Sequence, residues 1–205
     1  MSRKYVPWRR VKSWRCTACG ECCGRYSVPL SAAEYTRMVS RYGERVVRLH
    51  LGRPYLRRIA GRCVFLSGRL CSLQQTGLKP FACRIFPFLV RDEERKNRKE
   101  AEFWYKDECY YVYLSTGCAE VKPGKPERWF VEQVIPEAIE LHLNRRTPLR
   151  RLTSCLPEHY PRIGHNASVI AGNVAAVSIF EQLSVRSTSG LRSRYSRCYG
   201  TVSAG

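Results

Sequence analysis

Acidic residues are scarce in this chain. Its 205 residues contain 17 Asp and Glu against 36 Lys and Arg, which gives a formal net charge of +19. An excess of positive charge attracts nucleic acid through its phosphates, without sequence preference. No motif of a known nucleic-acid-binding fold accompanies the charge. We therefore expect a solvated basic surface, and nucleic acid stays an alternative partner that is not favoured.

Long apolar runs are also missing. The first fifteen residues are basic and contain no apolar segment of the kind found in secretory leaders. The stretch 169–183 is mildly amphipathic but too short and too polar to span a bilayer. We expect a cytoplasmic protein with no membrane association. Residues 157–205 are rich in Ser, Gly, Ala and Val, and we expect them to be a mobile tail.

Histidine is rare, and no catalytic pattern is fixed by the sequence. The four histidines, none of them spaced to pair with a cysteine motif, are His50, His142, His159 and His165. Any metal site is therefore predicted to be all-thiolate. A Ser-His-Asp or Cys-His arrangement has no partners that the sequence places together. Whether the chain is an enzyme, and which residues would be catalytic, stays open.

Cysteine is what the chain has in abundance, with eleven in all. Four of them stand in the run Cys16-Thr-Ala-Cys19-Gly-Glu-Cys22-Cys23. A C-x-x-C pair aims two thiolates at one centre, and three cysteines at this interval are the pattern of bacterial ferredoxins. Neighbouring side chains diverge, so Cys23 is predicted to serve a second centre or a second layer. Gly20 and Gly24 are predicted to supply positive φ angles.

A second block holds Cys63, Cys71 and Cys83. Aromatic residues around Cys83 indicate an apolar shell that shields sulfur from water. Pro80 and Pro87 stiffen the backbone on either side of that cysteine. The alternative for Cys63 and Cys71 is a pair of buried free thiols, which pack like small apolar side chains.

Disulfides are the other explanation for so many cysteines. The count of eleven is odd, and adjacent Cys22 and Cys23 would need separate partners. A chain of this length also builds a core without covalent staples. Metal or iron–sulfur ligation is therefore the preferred interpretation.

These residues resemble the YkgJ-type cysteine cluster family, a zinc- or iron-chelating domain named for the pattern C-x-x-C-x-x-C-C. The resemblance covers about residues 12–125. It is carried by Trp14-Arg-Cys16-Thr-Ala-Cys19-Gly-Glu-Cys22-Cys23, Ser31-Ala-Ala-Glu34, Cys63-Val-Phe-Leu66, Cys71-Ser-Leu, and Lys79-Pro80-Phe-Ala-Cys83-Arg84-Ile-Phe86-Pro87. A late family cysteine corresponds only loosely to Cys118, and Cys109 is the alternative. Cys155 and Cys198 lie outside the match and are expected to be free thiols.

The resemblance also implies a distant relation to flagellin lysine N-methylase, and with it methylation that depends on S-adenosylmethionine. The sequence itself lends this hypothesis little support. It contains no G-x-G loop after a strand-like run, the usual cradle of a nucleotide-like cofactor.

The fold class predicted is α+β, a small irregular domain organised around the cysteine site. Three segments are expected: a basic arm at 1–13, the cysteine cluster domain at 14–156 and the tail at 157–205. A capping box, Ser31 with Glu34, predicts a helix from Ala32 to about Gly43. The remaining expectations are a helix or irregular turn over 45–59, strands at 86–90, 101–105 and 110–114, and a helix over 129–144 interrupted at Pro136.

The sequence therefore predicts a metal-binding protein with ligands Cys16, Cys19, Cys22, Cys23, Cys63, Cys71, Cys83 and, less firmly, Cys118. Eight thiolates suffice for two four-ligand centres. An iron–sulfur cluster, 4Fe-4S, with a redox or redox-linked role is favoured because of the ferredoxin interval. The alternatives are a structural zinc module that binds nucleic acid or protein through its basic surface, and the methylase.

Overall fold

The computed structural model describes residues 4–74, 76–93, 99–143 and 152. These residues form a mixture of short helices and antiparallel strands, as the α+β prediction requires. The predicted tail and the stretch 169–183 lie outside the described residues. None of the described helices has the length and apolar character needed to cross a membrane.

The largest sheet is built around one long strand, β11 (Glu108–Ser115). It pairs antiparallel with three shorter strands, β1 (Tyr5–Pro7), β9 (Phe88–Arg91) and β10 (Glu102–Tyr105). Strand β9 lies along one side of β11, while β1 and β10 follow each other along the opposite side. The predicted strands at 86–90, 101–105 and 110–114 correspond to β9, β10 and β11, so this part of the prediction is confirmed.

A C-terminal helical segment packs on this sheet. It begins as a π-helix, Phe130–Val134, and continues as an α-helix that is labelled α4 in chain order, Ile135–His142. Its apolar face joins β9, β11 and the buried residues Trp8 and Val11 in the first core cluster. The helical segment continues past Pro136, the second residue of α4, and its geometry changes from π-helical to α-helical directly before this proline.

The cysteine-rich half is assembled from small pieces. Strand β2 (Val11–Ser13) pairs with β12 (Lys122–Pro123) and leads into the loop before α1 (Glu21–Arg25). Helix α2 (Ala32–Tyr42) follows, with both hydrogen bonds of the predicted capping box present. Three hairpins come next, and α3 (Phe81–Ile85) closes this half. The hairpins are β3–β4 (Val47–His50, Arg53–Leu56), β5–β6 (Arg58–Ile59, Arg62–Cys63) and β7–β8 (Leu66–Ser67, Leu70–Cys71).

The helix alternative for residues 45–59 is wrong. A short 3-10 turn, Glu44–Val46, is followed by the β3–β4 hairpin. The apolar residues Val47, Leu49 and Leu51 alternate with polar ones, which is the period of a strand rather than of a helix. A second core cluster, separate from that under the large sheet, forms where this hairpin meets α2 and the segment from Cys63 to Leu73.

Candidate metal centre

All eight cysteines predicted as ligands line one cavity of about 110 Å³. Its wall includes Cys16, Cys19, Cys22, Cys23, Cys63, Cys71, Cys83 and Cys118. The volume is several times the roughly 10–15 Å³ that one water molecule requires. Nine described cysteines, these eight and Cys109, carry free thiols. The chain thus brings together thiols from positions a hundred residues apart.

Each thiol reaches the cavity from a different piece of local structure. Cys16 and Cys19 lie in the loop before α1, and Cys22 and Cys23 lie in the first turn of α1 itself. The others come from β6, β8, α3 and the turn that follows β11, which carry Cys63, Cys71, Cys83 and Cys118. The cavity therefore lies between the two core clusters and is bounded by both.

The thiols fall into two neighbourhoods. Cys16 and Cys118 pack against the core under the large sheet, while Cys23, Cys63 and Cys71 belong to the second core. The electrostatic effects between thiols support this division. After burial, Cys19 and Cys22 raise the pKa of Cys118. After the larger effects of Cys22 and of burial, Cys71 and Cys63 raise the pKa of Cys23, and they also raise that of Cys83, where burial is the main cause. Cys22 raises the pKa of Cys16 in the first group and of Cys83 in the second, after the larger effect of burial on each, so it belongs to the boundary between the two groups.

The tight turn before α1 depends on Gly20. Its φ angle is +77°, as the sequence predicted, and a Cβ there would lie 3.0 Å from the carbonyl oxygen of Arg69. The β7–β8 hairpin therefore crosses close above this turn and brings Cys71 toward the quartet. The same prediction is wrong for Gly24, which lies inside α1 with helical geometry and with open space where a Cβ would be.

A second close approach lies next to Cys118. A Cβ built on Gly117 would overlap the hydroxyl oxygen of Tyr26, which is impossible without displacing that ring. Tyr26 lines the cavity and packs on Phe86, with 5.1 Å between the ring centroids. Gly117 is thus needed for the aromatic wall that adjoins Cys118.

The adjacent pair Cys22 and Cys23 shares a hydrogen bond between its side chains. The Cys23 thiol donates to the Cys22 sulfur and lowers the pKa of Cys22 to about 7. The same bond raises the pKa of Cys23 well above its ordinary value, and burial adds to the rise. The thiolate of Cys22, the form that binds metal, is therefore favoured over that of an ordinary cysteine near neutral pH.

Burial governs the other thiols. It raises the pKa of Cys63 to about 11, and it also raises the pKa values of Cys16, Cys71, Cys83 and Cys118. A soft metal ion or cluster displaces these protons when it binds, because the ligating form of cysteine is the thiolate. The donor set of eight sulfurs without histidine therefore fits thiophilic iron, iron–sulfur or zinc.

Lys79 is a cation of the cavity wall to which the sequence analysis gave no role of its own. It lines the cavity, and its ammonium donates a hydrogen bond to the amide oxygen of Gln74. Its charge lowers the pKa of Cys22 after the larger effect of Cys23, and it opposes the rise that burial causes at Cys16, Cys71 and Cys83. The Lys79 ammonium thus balances part of the thiolate charge, although the spacing of the cysteines does not predict a cation at this position.

Trp14 supplies a second polar group to the wall. Its indole N–H is buried and has no fully formed hydrogen bond among the described residues. The Cys118 thiol is the group that this N–H approaches, and the contact partly offsets the rise in the pKa of Cys118 that burial causes. A thiolate at Cys118 is the acceptor that this orphaned donor lacks.

Not every candidate reaches the cavity. Cys109 lies on β11 opposite Trp104 of β10 and takes no part in the lining. His50 lies edge-on to Tyr55, and His142 pairs with Asp92 at 3.2 Å. In the part of the chain that the structure describes, no three Cys, His, Asp or Glu side chains surround a common point closely enough to hold a metal ion. Cys155, Cys198, His159 and His165 lie outside that part.

Comparison with known proteins supports metal binding. Residues 15–110 match the model of the CxxCxxCC family, whose description is "Putative zinc- or iron-chelating domain". The Uncharacterized protein MJ0661 of Methanocaldococcus jannaschii is 25% identical over 114 residues, which are 53% of this chain and 63% of that protein. The chain thus spans less than two thirds of this relative. No solved structure matches.

Proposed function

We propose that the protein carries iron–sulfur clusters in a redox or redox-linked role. The match of residues 15–110 to the CxxCxxCC family confirms the resemblance seen in the sequence and supports metal binding. The observation that carries the proposal is the convergence of eight thiols on one cavity while Cys109 stays outside it. The interval of Cys16, Cys19 and Cys22 is that of ferredoxin ligands. The bound group would supply one-electron chemistry, and the protein would supply its ligands and a shielded surrounding.

We assign the ligands to two adjoining sets of four. The first set is Cys16, Cys19, Cys22 and Cys118, and the second is Cys23, Cys63, Cys71 and Cys83. The two core clusters and the electrostatic effects between the thiols support this division. It also gives Cys22 and Cys23 to different sets, as the divergence of neighbouring side chains favours.

The chain's own residues prepare this site for anionic ligands. Lys79 places a positive charge beside thiols of both sets, which favours their deprotonation. Trp14 directs an N–H at Cys118, and hydrogen bonds to sulfur raise the reduction potential of a cluster. The surrounding apolar side chains, among them Leu56 and Leu73, keep water from the sulfurs.

The experiment is an absorption spectrum of protein purified without oxygen, recorded before and after addition of dithionite. Thiolate-bound clusters absorb broadly at about 400 nm and bleach on reduction. A coloured protein that bleaches supports the proposal. A colourless protein with bound zinc contradicts it.

A structural zinc module is the second candidate, since the family description names zinc beside iron and the net charge is +19. In that case the basic surface would bind nucleic acid or protein, with an affinity that falls steeply with salt. Methylation stays a prediction from the resemblance alone, tested by titration with S-adenosylmethionine. A cytoplasmic location is proposed because free thiols persist where the compartment is reducing.

A further inference from the structure

The β3–β4 hairpin carries an apolar face beyond the edge of the protein core. At its base, Val47 and Leu56 face each other and are buried. Two pairs further out, Leu49 stands opposite Pro54 and is 67% exposed. Leu51, in the turn, is 89% exposed. The buried face of the hairpin thus continues outward as an apolar surface with nothing packed on it among the described residues.

The turn itself is unsuited to the residue that occupies it. His50 pairs with Arg53, so the two-residue turn is Leu51 and Gly52, and both have positive φ angles of 49° and 72°. Such hairpin turns favour Asn-Gly or Gly-Gly, since residues other than Gly, Asn and Asp are disfavoured in the left-handed region of backbone conformation. Leu51 therefore occupies an unfavourable backbone conformation without the compensation of burial. Strain of this kind at an exposed position points to a function of the side chain.

Positive charge surrounds these leucines. Between residues 35 and 62 there are eight arginines and one acidic residue, Glu44. Arg45, Arg48 and Arg53 are exposed, and none of the three forms an ion pair within the described residues. Helix α2, which packs against this hairpin through Met38, adds two exposed arginines, Arg37 and Arg41. The apolar turn therefore projects from a basic collar.

We propose that the β3–β4 hairpin docks the protein onto an anionic lipid surface. Leu49 and Leu51 enter the boundary between headgroups and acyl chains, and the arginines contact lipid phosphates. Charge alone fits nucleic acid equally well, but exposed leucines give no benefit there, because single strands bind through backbone charge and aromatic stacking. The contact is peripheral, and it departs from the expectation from sequence that the protein has no membrane association.

The test is co-sedimentation of the full chain, purified without oxygen, with two kinds of vesicle. One is pure phosphatidylcholine and the other is phosphatidylcholine mixed with phosphatidylglycerol. The wild type is expected to bind the anionic vesicles and to release them as salt rises. Leu51→Asn is expected to weaken this binding by about tenfold, the effect of losing one buried leucine side chain. Since Asn suits the left-handed turn, the same variant is expected to unfold at a higher temperature.

Trp104→Ser is the matched control, because it removes another exposed large apolar side chain, 65% exposed on β10. It is expected to leave vesicle binding unchanged. Arg48→Ser is expected to weaken binding to anionic vesicles. Four results overturn the proposal. The first two are equal binding to both kinds of vesicle and unchanged vesicle binding by Leu51→Asn. The other two are a lower unfolding temperature for Leu51→Asn, which shows that the leucine is covered within its own chain, and a smaller oligomer in that variant, which shows that a second copy covers it.

Competition with single-stranded oligonucleotide distinguishes an anionic lipid surface from nucleic acid as the partner of this hairpin. If oligonucleotide binds tightly and Leu51→Asn leaves its affinity unchanged while Arg48→Ser weakens it, the basic collar is a nucleic-acid surface and the lipid proposal fails. If oligonucleotide leaves the protein on the vesicles, the proposal stands.

Discussion

The carboxylate of Glu34 accepts a hydrogen bond of 2.6 Å from the backbone N–H of Phe81, 47 residues further along the chain. Its other oxygen accepts from the backbone N–H of Ser31 at 2.8 Å and so completes the capping box of α2. One side chain thus fixes the beginning of α2 and that of α3, the helix that carries Cys83. The position of this cysteine relative to the others depends on a charge-assisted bond.

Replacing Glu34 is therefore expected to cost more than replacing its capping partner. Ser31→Ala removes one cap bond and is expected to cost about 1 kcal/mol of unfolding free energy. Glu34→Ala also leaves the Phe81 N–H without its acceptor and is expected to cost about 2 kcal/mol. Urea unfolding of the metal-free protein measures both. Equal costs for the two variants would show that the bond to Phe81 contributes nothing.

The thiols of the metal-free protein are expected to react with iodoacetamide in a defined order. Cys22, whose pKa is lowered to about 7, is mostly thiolate at pH 7.5, whereas Cys63, with a pKa raised to about 11, is almost wholly protonated. Cys22 should be alkylated more than about tenfold faster. Mass spectrometry of digests taken over time gives the order, and faster reaction at Cys63 would contradict these environments.

The charge of Lys79 is tested in the same assay. Lys79→Gln removes a cation that lowers the pKa of Cys22, so alkylation at pH 7 is expected to slow by about two- to threefold. Lys79→Arg keeps the charge and is expected to react like the wild type. Metal affinity is expected to be lower in Lys79→Gln than in the wild type and Lys79→Arg, because metal binding displaces the thiol protons. Identical rates in all three proteins would remove Lys79 from the account.

Two glycines of the site are expected to respond in opposite directions to the same change. Gly117→Ala forces the Tyr26 ring out of its place and is expected to cost about 1–3 kcal/mol of unfolding free energy. Gly24→Ala, inside α1 and with open space around its Cβ, is expected to stabilise the protein by about 0.5–1 kcal/mol. Denaturant unfolding of both variants checks this contrast. It would be refuted by a stable Gly117→Ala protein.

The assignment of ligands to two sets predicts partial losses of metal. Cys118→Ser and Cys71→Ser each change one set, so each is expected to halve the metal content of the protein. Cys109→Ser, outside the cavity, should leave it unchanged. Elemental analysis of the three variants measures this. Complete loss in either of the first two would indicate a single shared centre instead.

Local patterns made much of this fold predictable. The capping box at Ser31 predicted α2, and three of the four strands of the large sheet were predicted, whereas β1 lies in the stretch 1–13 that was expected to be a basic arm. The spacing of Cys16, Cys19, Cys22 and Cys23 was enough to predict that they lie together, because these cysteines are close neighbours in the chain. The region 45–59 was ambiguous, since its short apolar run fits both a helix and a strand until the turn at Leu51 and Gly52 decides between them.

Contacts between distant parts of the chain left no sequence signal. Nothing in the sequence joins Glu34 to Phe81 or Gly117 to Tyr26, because each contact depends on how the pieces pack. The role of Lys79 was missed for the same reason. The choice between Cys109 and Cys118 was open in the sequence, and it is the turn after β11 that places Cys118, and not Cys109, against the cavity.

Iron and acid-labile sulfide, counted per chain in protein purified without oxygen, test the central claim most directly. Two 4Fe-4S clusters predict about eight irons and about eight sulfides per chain. Stoichiometric zinc without sulfide would contradict the account and leave a zinc-stapled fold in its place.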